Sequence, residues 1–488
     1  MKKNKTILVV LGIIIYFLFI YILNLKIEIN NIKVIGLTCI ALIIVIADYF
    51  VLKDYKITKK MNYKKIMIAI VCIGIVLRTA YIMYTPIERR QHDMEENAGH
   101  LAYIETIYET GNLPEHNRWQ FYQQPLHHII SAIWLKVNIA CGIDLQEAEE
   151  GIQFLTAIYS SLIMIITYCI LRELKIEDKF KILIMAVISV HPTFILLSGS
   201  INNDILMIMF TFFSLLYLIK WNKNPDIKNT IILAFGVALG ALSKISSTII
   251  AVPIIYVFIN RFIKDYSEKS DNKKIIKDYA TKFIIFGIIA LGIGLLFSAR
   301  NMVKFGQSIF YVPDPGMSVY CGYRKWTDRL NIFSSEWLAM YCHPYRDCNI
   351  FAYVVKSSLF GEFNADNLGK MSLEKALIIC NIILIIYSLI ALIKIIAKKE
   401  DKDENIKMFI IFWITQIAMF TFGNVTKPYG CTMDFRYIVP TILTGMIFIC
   451  TALKNSKQFN YKVVLSVTIL FVILSMSFVL TDMSLLTI

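Results

Sequence analysis

Long apolar runs are the feature of this sequence that most constrains its fold. They recur along the whole chain and approach the roughly 17 to 25 residues that a helix needs to cross a bilayer. The chain is 57% hydrophobic, and a soluble protein exposing that much apolar surface would aggregate. We therefore predict an all-α polytopic membrane protein with about thirteen transmembrane helices. The predicted spans are 7–25, 34–52, 66–84, 153–171, 180–198, 205–220, 229–243, 246–262, 281–299, 374–396, 407–422, 436–453 and 461–482.

Lysines and arginines lie mainly in the short connectors between these runs. The formal net charge of +14 would suit a nucleic-acid partner, but membrane proteins concentrate Lys and Arg in their cytoplasmic loops. The basic residues therefore indicate membrane orientation, and no nucleic-acid partner is predicted. The N-terminal MKKNK precedes an apolar run that has no small-residue cleavage site, so we predict a retained first span.

Charge parity predicts which polar segments face the outside of the cell membrane. Successive basic connectors must be separated by an even number of crossings, so the apolar stretch 126–141 is predicted to lie on the outer leaflet as a juxtamembrane helix. Residues 94–108 have apolar side chains at helical spacing and are predicted to lie along the same interface. The predicted regions are two N-terminal spans (1–65), a membrane core (66–300) with an external loop (85–152), an external loop or lid (301–372) and the C-terminal spans (373–488).

Carboxylates near the outer face are the candidates for catalysis. Asp93 and Glu96 follow a span directly, and a carboxylate in partly apolar surroundings can have a raised pKa and act as a general base; a solvated acidic turn is the alternative. Asp204 opens a span from the outer side, where a costly ionisable group indicates a site or a buried partner. Glu96 and His100 have the spacing of a helical pair that could bind a divalent ion, but no complete ligand set is visible and no metal requirement is predicted.

Cations at the outer ends of spans are candidates for binding a phosphate. Lys244, Arg300 and Arg436 lie on the side where the charge rule places few cations, although snorkelling of long side chains is the ordinary alternative. Aromatic and imidazole side chains on the same side suit sugar binding or an interfacial belt. The predicted substrate-binding residues are His100, Tyr122, His127 and His191.

Four cysteines fall in the outer polar segments. Cys321, Cys342 and Cys348 share one loop and could approach Cys431, so up to two disulfides are expected on an oxidising side of the membrane. The spacing does not determine which cysteines pair. A disulfide-stapled lid and a set of inert thiols both remain open.

Six motifs follow one another along the chain: QHDMEENAGH, GNLPEHNRWQFYQQPLHH, HPTFILLSGSINND, GALSKIS, ARNMVKFG and DFRYIVP. In this order they resemble the GT-C superfamily of membrane glycosyltransferases, in the group of the protein O-mannosyltransferases and the lipid A aminoarabinose transferase (glycosyltransferase family 39-like). The resemblance covers residues 66–440 approximately. QQPL replaces the usual double proline, and two spans precede the one that normally leads into the catalytic loop.

The resemblance implies a GT-C-type fold and transfer of a sugar from a polyprenyl-phosphate donor, with inversion, on the extracytoplasmic face. It implies that Asp93 is the general base, that Asp204 is the second acidic position, and that Lys244, Arg300 and Arg436 handle the donor phosphate. The acceptor would be a lipid, glycan or protein bearing a hydroxyl or amine. No cofactor is implied, and a divalent metal is optional.

Two other functions fit parts of the sequence. A transporter or lipid flippase should have ionisable or broken helices at the membrane midplane in two corresponding halves. Here the charges lie towards one face and no halves are evident, which favours an enzyme. A polymerase or ligase of surface glycans would also use a lipid-linked donor.

Overall fold

The described part of the chain is built from helices. The computed structural model describes residues 61–89, 94, 98–115, 118–268, 270–339, 341–343, 345–361, 371–397, 403–455 and 461–480. Within these ranges no β-strand occurs, and an isolated bridge joins Tyr320 to Tyr429. The predicted all-α polytopic class is confirmed. The predicted spans 7–25 and 34–52 lie outside the described residues.

The α-helices are numbered in chain order over the described residues. Those of the first half are α1 (Met61–Tyr84), α2 (His100–Thr110), α3 (Leu126–Ala140), α4 (Leu145–Glu150), α5 (Ile152–Glu173), α6 (Asp178–Val190), α7 (Pro192–Leu196), α8 (Asp204–Lys223) and α9 (Ile227–Ser243). Those of the second half are α10 (Ala251–Glu268), α11 (Asn272–Gly294), α12 (Leu296–Phe305), α13 (Trp326–Arg329), α14 (Ile350–Phe360), α15 (Met371–Ala397), α16 (Glu404–Thr426), α17 (Thr441–Asn455) and α18 (Tyr461–Leu480).

Seven helical segments of the described chain are long and apolar enough to cross a membrane. The number is eight if α11 and α12, which meet at a bend of 49°, form one broken span. Three further predicted spans coincide with the shorter helices α6, α9 and α17. The predicted number of about thirteen includes those three and the two spans outside the described residues.

The prediction of one continuous helix over 180–198 is wrong. α6 ends at Val190, His191 has an extended backbone (φ −60°, ψ 125°), and α7 begins at Pro192. Proline has no N–H to donate and disfavours helical geometry in the residue before it, which explains the break. Arg78 of α1 compensates at the end of α6, because its Nη1 donates to the carbonyl of Ser189 at 2.7 Å.

The centre of the described bundle is α8, which packs against α5 on one side and α9 on another. Its side chains are apolar and buried nearly all round, as expected for a helix enclosed by other helices. Gly236 of α9 permits the close approach, since a Cβ there would lie 2.8 Å from Ser214 Oγ. By contrast, Ile288 and Leu291 of α11 are exposed and form part of a face suited to lipid.

The amphipathic helix α3 coincides with the segment 126–141 that is predicted to be juxtamembrane. It has 15 residues. Ile133 and Val137 are exposed on one face, while His127, His128 and Leu135 are buried on the other. α3 therefore has one face for the protein and one for an apolar surface.

Candidate functional site

An ion cluster joins three segments that are distant in sequence. Asp204 begins α8, Lys244 follows the last residue of α9, and Arg436 lies in the short 3-10 turn Phe435–Tyr437. Asp204 Oδ1 accepts a hydrogen bond from Lys244 Nζ, and Asp204 Oδ2 lies 4.0 Å from Arg436 Nε. Asp204 is 2% exposed and Lys244 is 8% exposed, so water screens this cluster weakly. The structure thus brings together three of the predicted site residues.

The chain around Asn203 holds this cluster in position. The Asn203 amide donates to the Ser243 carbonyl at 2.6 Å, which ties the start of α8 to the end of α9. The same amide donates to Gln123 Oε1 at 3.3 Å, which connects the cluster to the segment preceding α3. Asp204 lies in the first turn of α8, where the helix dipole favours a negative charge.

Asp434 and Tyr437 complete the cluster, and neither was predicted as a site residue. Asp434 is 2% exposed, and its Oδ1 accepts from the Arg436 backbone N–H at 2.7 Å. The Tyr437 ring centroid lies 5.1 Å from Lys244 Nζ and 5.4 Å from Arg436 Cζ, within cation–π range. The four ionisable groups carry two positive and two negative charges. The motif DFRY already contained this signal, since an acid, a base and an aromatic residue occur together in it.

Tyr122 forms an aromatic wall beside the cluster. Its hydroxyl accepts from Gln123 Nε2 at 2.9 Å, and its ring meets Tyr311 edge to face at 6.2 Å. Burial raises the pKa of Tyr122 well above its usual range, and the positive charge of Arg436 opposes this only in part. Tyr122 is therefore a neutral phenol that can donate and accept hydrogen bonds.

The predicted substrate-binding histidines have different surroundings. His127 Nε2 lies 2.6 Å from the Ile201 carbonyl, and burial lowers the pKa of His127 to about 4 even though this hydrogen bond and, less strongly, Asp204 oppose the shift. The neutral ring therefore donates from Nε2 to the Ile201 carbonyl. His100 Nδ1 lies 2.9 Å from His128 Nε2. His191 Nδ1 accepts from the Thr193 N–H at 3.4 Å and so caps α7.

Arg300 is separate from the ion cluster. Its Nη2 donates to the Pro114 carbonyl at 2.9 Å, and its Nη1 donates to Asn301 Oδ1 at 3.0 Å. Lys304 reinforces this attachment through Glu115, at 2.8 Å. In this structure Arg300 holds the segment that follows α2 against α12.

Two predicted catalytic residues, Asp93 and Glu96, lie outside the described residues. The structure therefore gives no position for the predicted base or for the predicted partner of His100 in a metal site. Among the residues that are described, no group of three His, Cys, Asp or Glu side chains could hold a metal ion.

Two cavities adjoin the ion cluster. The first is lined in part by Thr193, Ser357, Asp434 and Arg436. The second is lined in part by Tyr122 and by Ile245, the residue that follows Lys244. Each cavity has a volume of about 20 Å³, which is room for about one water molecule.

The outer-loop cysteines are clustered but not joined. None of the nine cysteines in the described residues forms a disulfide. Cys321, Cys342 and Cys348 are buried in one small cluster, and the Cys321 thiol donates to the Asp347 carbonyl at 3.5 Å. In this structure packing and hydrogen bonds hold these three loop cysteines in place.

A known family matches the part of the chain that contains much of this site. Residues 132–302 match the family model described as dolichyl-phosphate-mannose-protein mannosyltransferase. The predicted family resemblance is confirmed. The matched range includes Asp204, Lys244 and Arg300, whereas Asp93 and Arg436 lie outside it.

Solved structures of two membrane enzymes are also similar to this chain. The S. cerevisiae protein O-mannosyltransferase Pmt1–Pmt2 complex bound to the sugar donor is 14% identical, over 57% of this chain and 37% of that chain, with a TM-score of 0.37. ArnT from Cupriavidus metallidurans bound to undecaprenyl phosphate is 12% identical, over 82% of this chain and 62% of that chain, with a TM-score of 0.45. ArnT from Cupriavidus metallidurans in the apo state is 12% identical, over 84% of this chain and 76% of that chain, with a TM-score of 0.38. A search of curated sequences gave no match.

Proposed function

We propose that this multi-pass membrane protein is a glycosyltransferase that moves a sugar from a polyprenyl-phosphate donor to an acceptor hydroxyl or amine. The observation that carries the proposal is the buried cluster in which Asp204 contacts Lys244 and lies 4.0 Å from Arg436. The family match over residues 132–302 supports the same reaction class. The reaction takes place on the extracytoplasmic face of the cell membrane, on the side that charge parity assigns to this cluster.

The charge on the donor phosphate changes during this reaction. The donor is a phosphodiester with one negative charge, and cleavage of its sugar–oxygen bond leaves a polyprenyl monophosphate with up to two. Lys244 and Arg436 interact more strongly with the growing charge than with the donor, so they lower the barrier and do not merely bind substrate. Before the donor binds, Asp204 accepts a hydrogen bond from Lys244 and offsets its charge, and Asp434 fixes the backbone of Arg436.

The acceptor attacks from the opposite side of the sugar. Asp93 removes the acceptor proton as the new bond to the anomeric carbon forms, and the electron pair of the breaking bond goes to the phosphate oxygen. One displacement inverts the anomeric configuration. A divalent metal is optional in this proposal, because two fixed cations already face the phosphate.

The test is transfer from a panel of radiolabelled polyprenyl-phosphate sugars by the purified full-length protein in lipid nanodiscs. Lys244→Met and Asp93→Asn should each lower kcat/KM at least 100-fold, since an interaction of about 3 kcal/mol corresponds to that factor. The matched control is Lys427→Met, because Lys427 pairs with Asp314 on the surface and should be dispensable. No transfer with any donor, together with ion-driven substrate flux in vesicles, would instead support a transporter.

A further inference from the structure

Cys321 and Cys348 lie beside each other in the outer loop. The Cys321 thiol donates to the carbonyl of Asp347, the residue before Cys348, at 3.5 Å. The Cys348 thiol in turn donates to the hydroxyl of Tyr323, two residues after Cys321, at 3.9 Å. Each thiol therefore contacts the chain next to the other cysteine, and both residues are buried.

The other two outer cysteines have different surroundings. The Cys342 thiol donates to the Tyr353 carbonyl of α14 at 3.4 Å. Cys431 lies close enough to Tyr122 to add to the rise in the Tyr122 pKa that burial and then Arg436 determine. Cys431 is thus on the side of the ion cluster. The contacts of the four outer cysteines favour Cys321 and Cys348 as a pair.

Cys348 has the chemistry of an attacking thiol. The Cys321 thiol lowers the pKa of Cys348 to about 7, although burial opposes the shift, and the Tyr323 hydroxyl assists. The thiolate is the form that attacks a disulfide, and exchange is fastest when the pKa of the attacking thiol is near the ambient pH. Cys348 therefore suits the first step of thiol–disulfide exchange.

The main chain at both cysteines is already fixed. The Cys321 N–H donates to the Pro428 carbonyl at 2.7 Å, and the Cys348 N–H donates to Glu336 Oε1 at 3.0 Å. A bond between two positions that the fold already holds mainly restricts the unfolded chain, which is how a crosslink stabilises a loop.

The pair also links two supports of the segment 428–436, which contains one cation of the ion cluster. Cys321 contacts the first residue of this segment. The helix α14 begins just after Cys348, and its Ser357 hydroxyl accepts from the Phe435 N–H at 3.0 Å. A bond between the two cysteines would join both supports covalently.

We propose that Cys321 and Cys348 form a disulfide that fastens the outer loop on the oxidising side of the membrane. The oxidant is itself a disulfide. The Cys348 thiolate attacks one of its sulfurs and expels a first thiolate, and the Cys321 thiolate then attacks the Cys348 sulfur of the mixed disulfide and expels the second. Two electrons pass from the cysteines to the oxidant, and the two cysteine protons end on the two released thiols.

The first test is the state of these cysteines in the full-length protein. Cells are lysed in N-ethylmaleimide, and tryptic peptides are compared by mass spectrometry with and without reductant. Cleavage after Arg324, Arg329 and Arg346 places Cys321, Cys342 and Cys348 in separate peptides. The expected result is a Cys321–Cys348 peptide pair, which protein reduced with dithiothreitol regains in oxidised glutathione. Alkylation of both cysteines after each treatment, or a bond from either one to another cysteine, would overturn the pairing.

The second test is limited proteolysis of the protein in nanodiscs. Arg329 lies between the two cysteines and is 2% exposed, so trypsin cleaves after it only when the loop opens. Dithiothreitol should raise this cleavage rate at least about tenfold in the wild type, because reduction removes the crosslink. Cys321→Ser/Cys348→Ser should be cleaved rapidly with or without reductant.

Cys342→Ser is the matched control. Cys342 belongs to the same buried cluster, so its substitution disturbs the same packing but should leave the response to dithiothreitol unchanged. A reductant effect in the double variant as large as that in the wild type would contradict the proposal. The glycosyltransferase proposal is independent of these outcomes, because no cysteine takes part in it.

Discussion

At the scale of single residues, Asp204 has one hydrogen-bonded cation, a second cation nearby and almost no exposure to solvent. Substitutions in such an ion pair change the stability and the activity of the protein differently. Removing one member of a buried ion pair leaves the other charge unpaired, whereas removing both can be nearly neutral for folding. This difference allows the structural and functional contributions of the cluster to be separated.

Asp204→Asn is expected to lower the free energy of unfolding by about 3–5 kcal/mol, because Lys244 then remains buried without its carboxylate. The double variant Asp204→Asn/Lys244→Met should regain most of the thermal stability. It should not regain transfer activity, because the phosphate has lost a cation. The measurements are thermal unfolding in nanodiscs and the radiolabelled transfer assay, and recovery of activity in the double variant would exclude Lys244 as a phosphate ligand.

At the scale of elements, the break between α6 and α7 lies just before the segment that leads to Asp204. The chain leaves α6 at His191, forms the short helix α7, and then turns into the segment that ends at Asp204. Arg78 supports the interruption from α1, where it is fully buried and donates to Ser160 Oγ and to the carbonyl of Ser189, both at 2.7 Å. Ser160 in turn donates to the Phe194 carbonyl of α7 at 2.7 Å.

Arg78→Met is expected to destabilise the protein by about 1–3 kcal/mol for each buried carbonyl left without a donor. Arg78→Lys should recover only part of the loss, because an ammonium group cannot reproduce the planar fork of donors. Thermal unfolding and the rate of proteolysis between α6 and α8 measure the effect. Full stability in Arg78→Met would contradict a supporting role for Arg78.

At the scale of the whole molecule, the proposed function requires the ion cluster and the segment before α3 to face the same side of the membrane. α3 determines this, because one additional crossing there would reverse the side of later connectors. One of its faces is apolar and exposed and the other is buried and carries histidines, which suits a helix that lies on the membrane surface. Cys141, directly after α3, is exposed and provides a natural reporter of its end.

A variant that retains Cys141 as its single cysteine should react with a membrane-impermeant maleimide in intact cells. The expected result is labelling without permeabilisation, because both ends of α3 lie outside if it does not cross. Mass spectrometry of the purified protein measures the labelled fraction. A single cysteine placed at Lys264, in a predicted cytoplasmic connector, should react only after permeabilisation. Equal protection of Cys141 and the control in intact cells would contradict the predicted orientation.

Much of the architecture could be predicted from the sequence, because membrane insertion depends on local properties. The length of an apolar run and the charge of its connectors are readable without knowing what packs against what, so the helical class and most spans were predicted. The apolar run over 180–198 predicts one span although it contains Pro192, because hydrophobicity alone does not show where proline interrupts a helix.

The candidate site could likewise be predicted from the sequence only in part. Asp204, Lys244 and Arg436 could each be selected from the sequence, because an ionisable residue at the end of an apolar run is unusual. Their mutual contact and the separate attachment of Arg300 to Pro114 depend on side chains from segments that are far apart in the chain. Sequence by itself therefore determined which segments enter the membrane and which charges are costly there. Only the tertiary structure decided which of those charges meet, since packing between distant helices sets the distances on which hydrogen bonds and ion pairs depend.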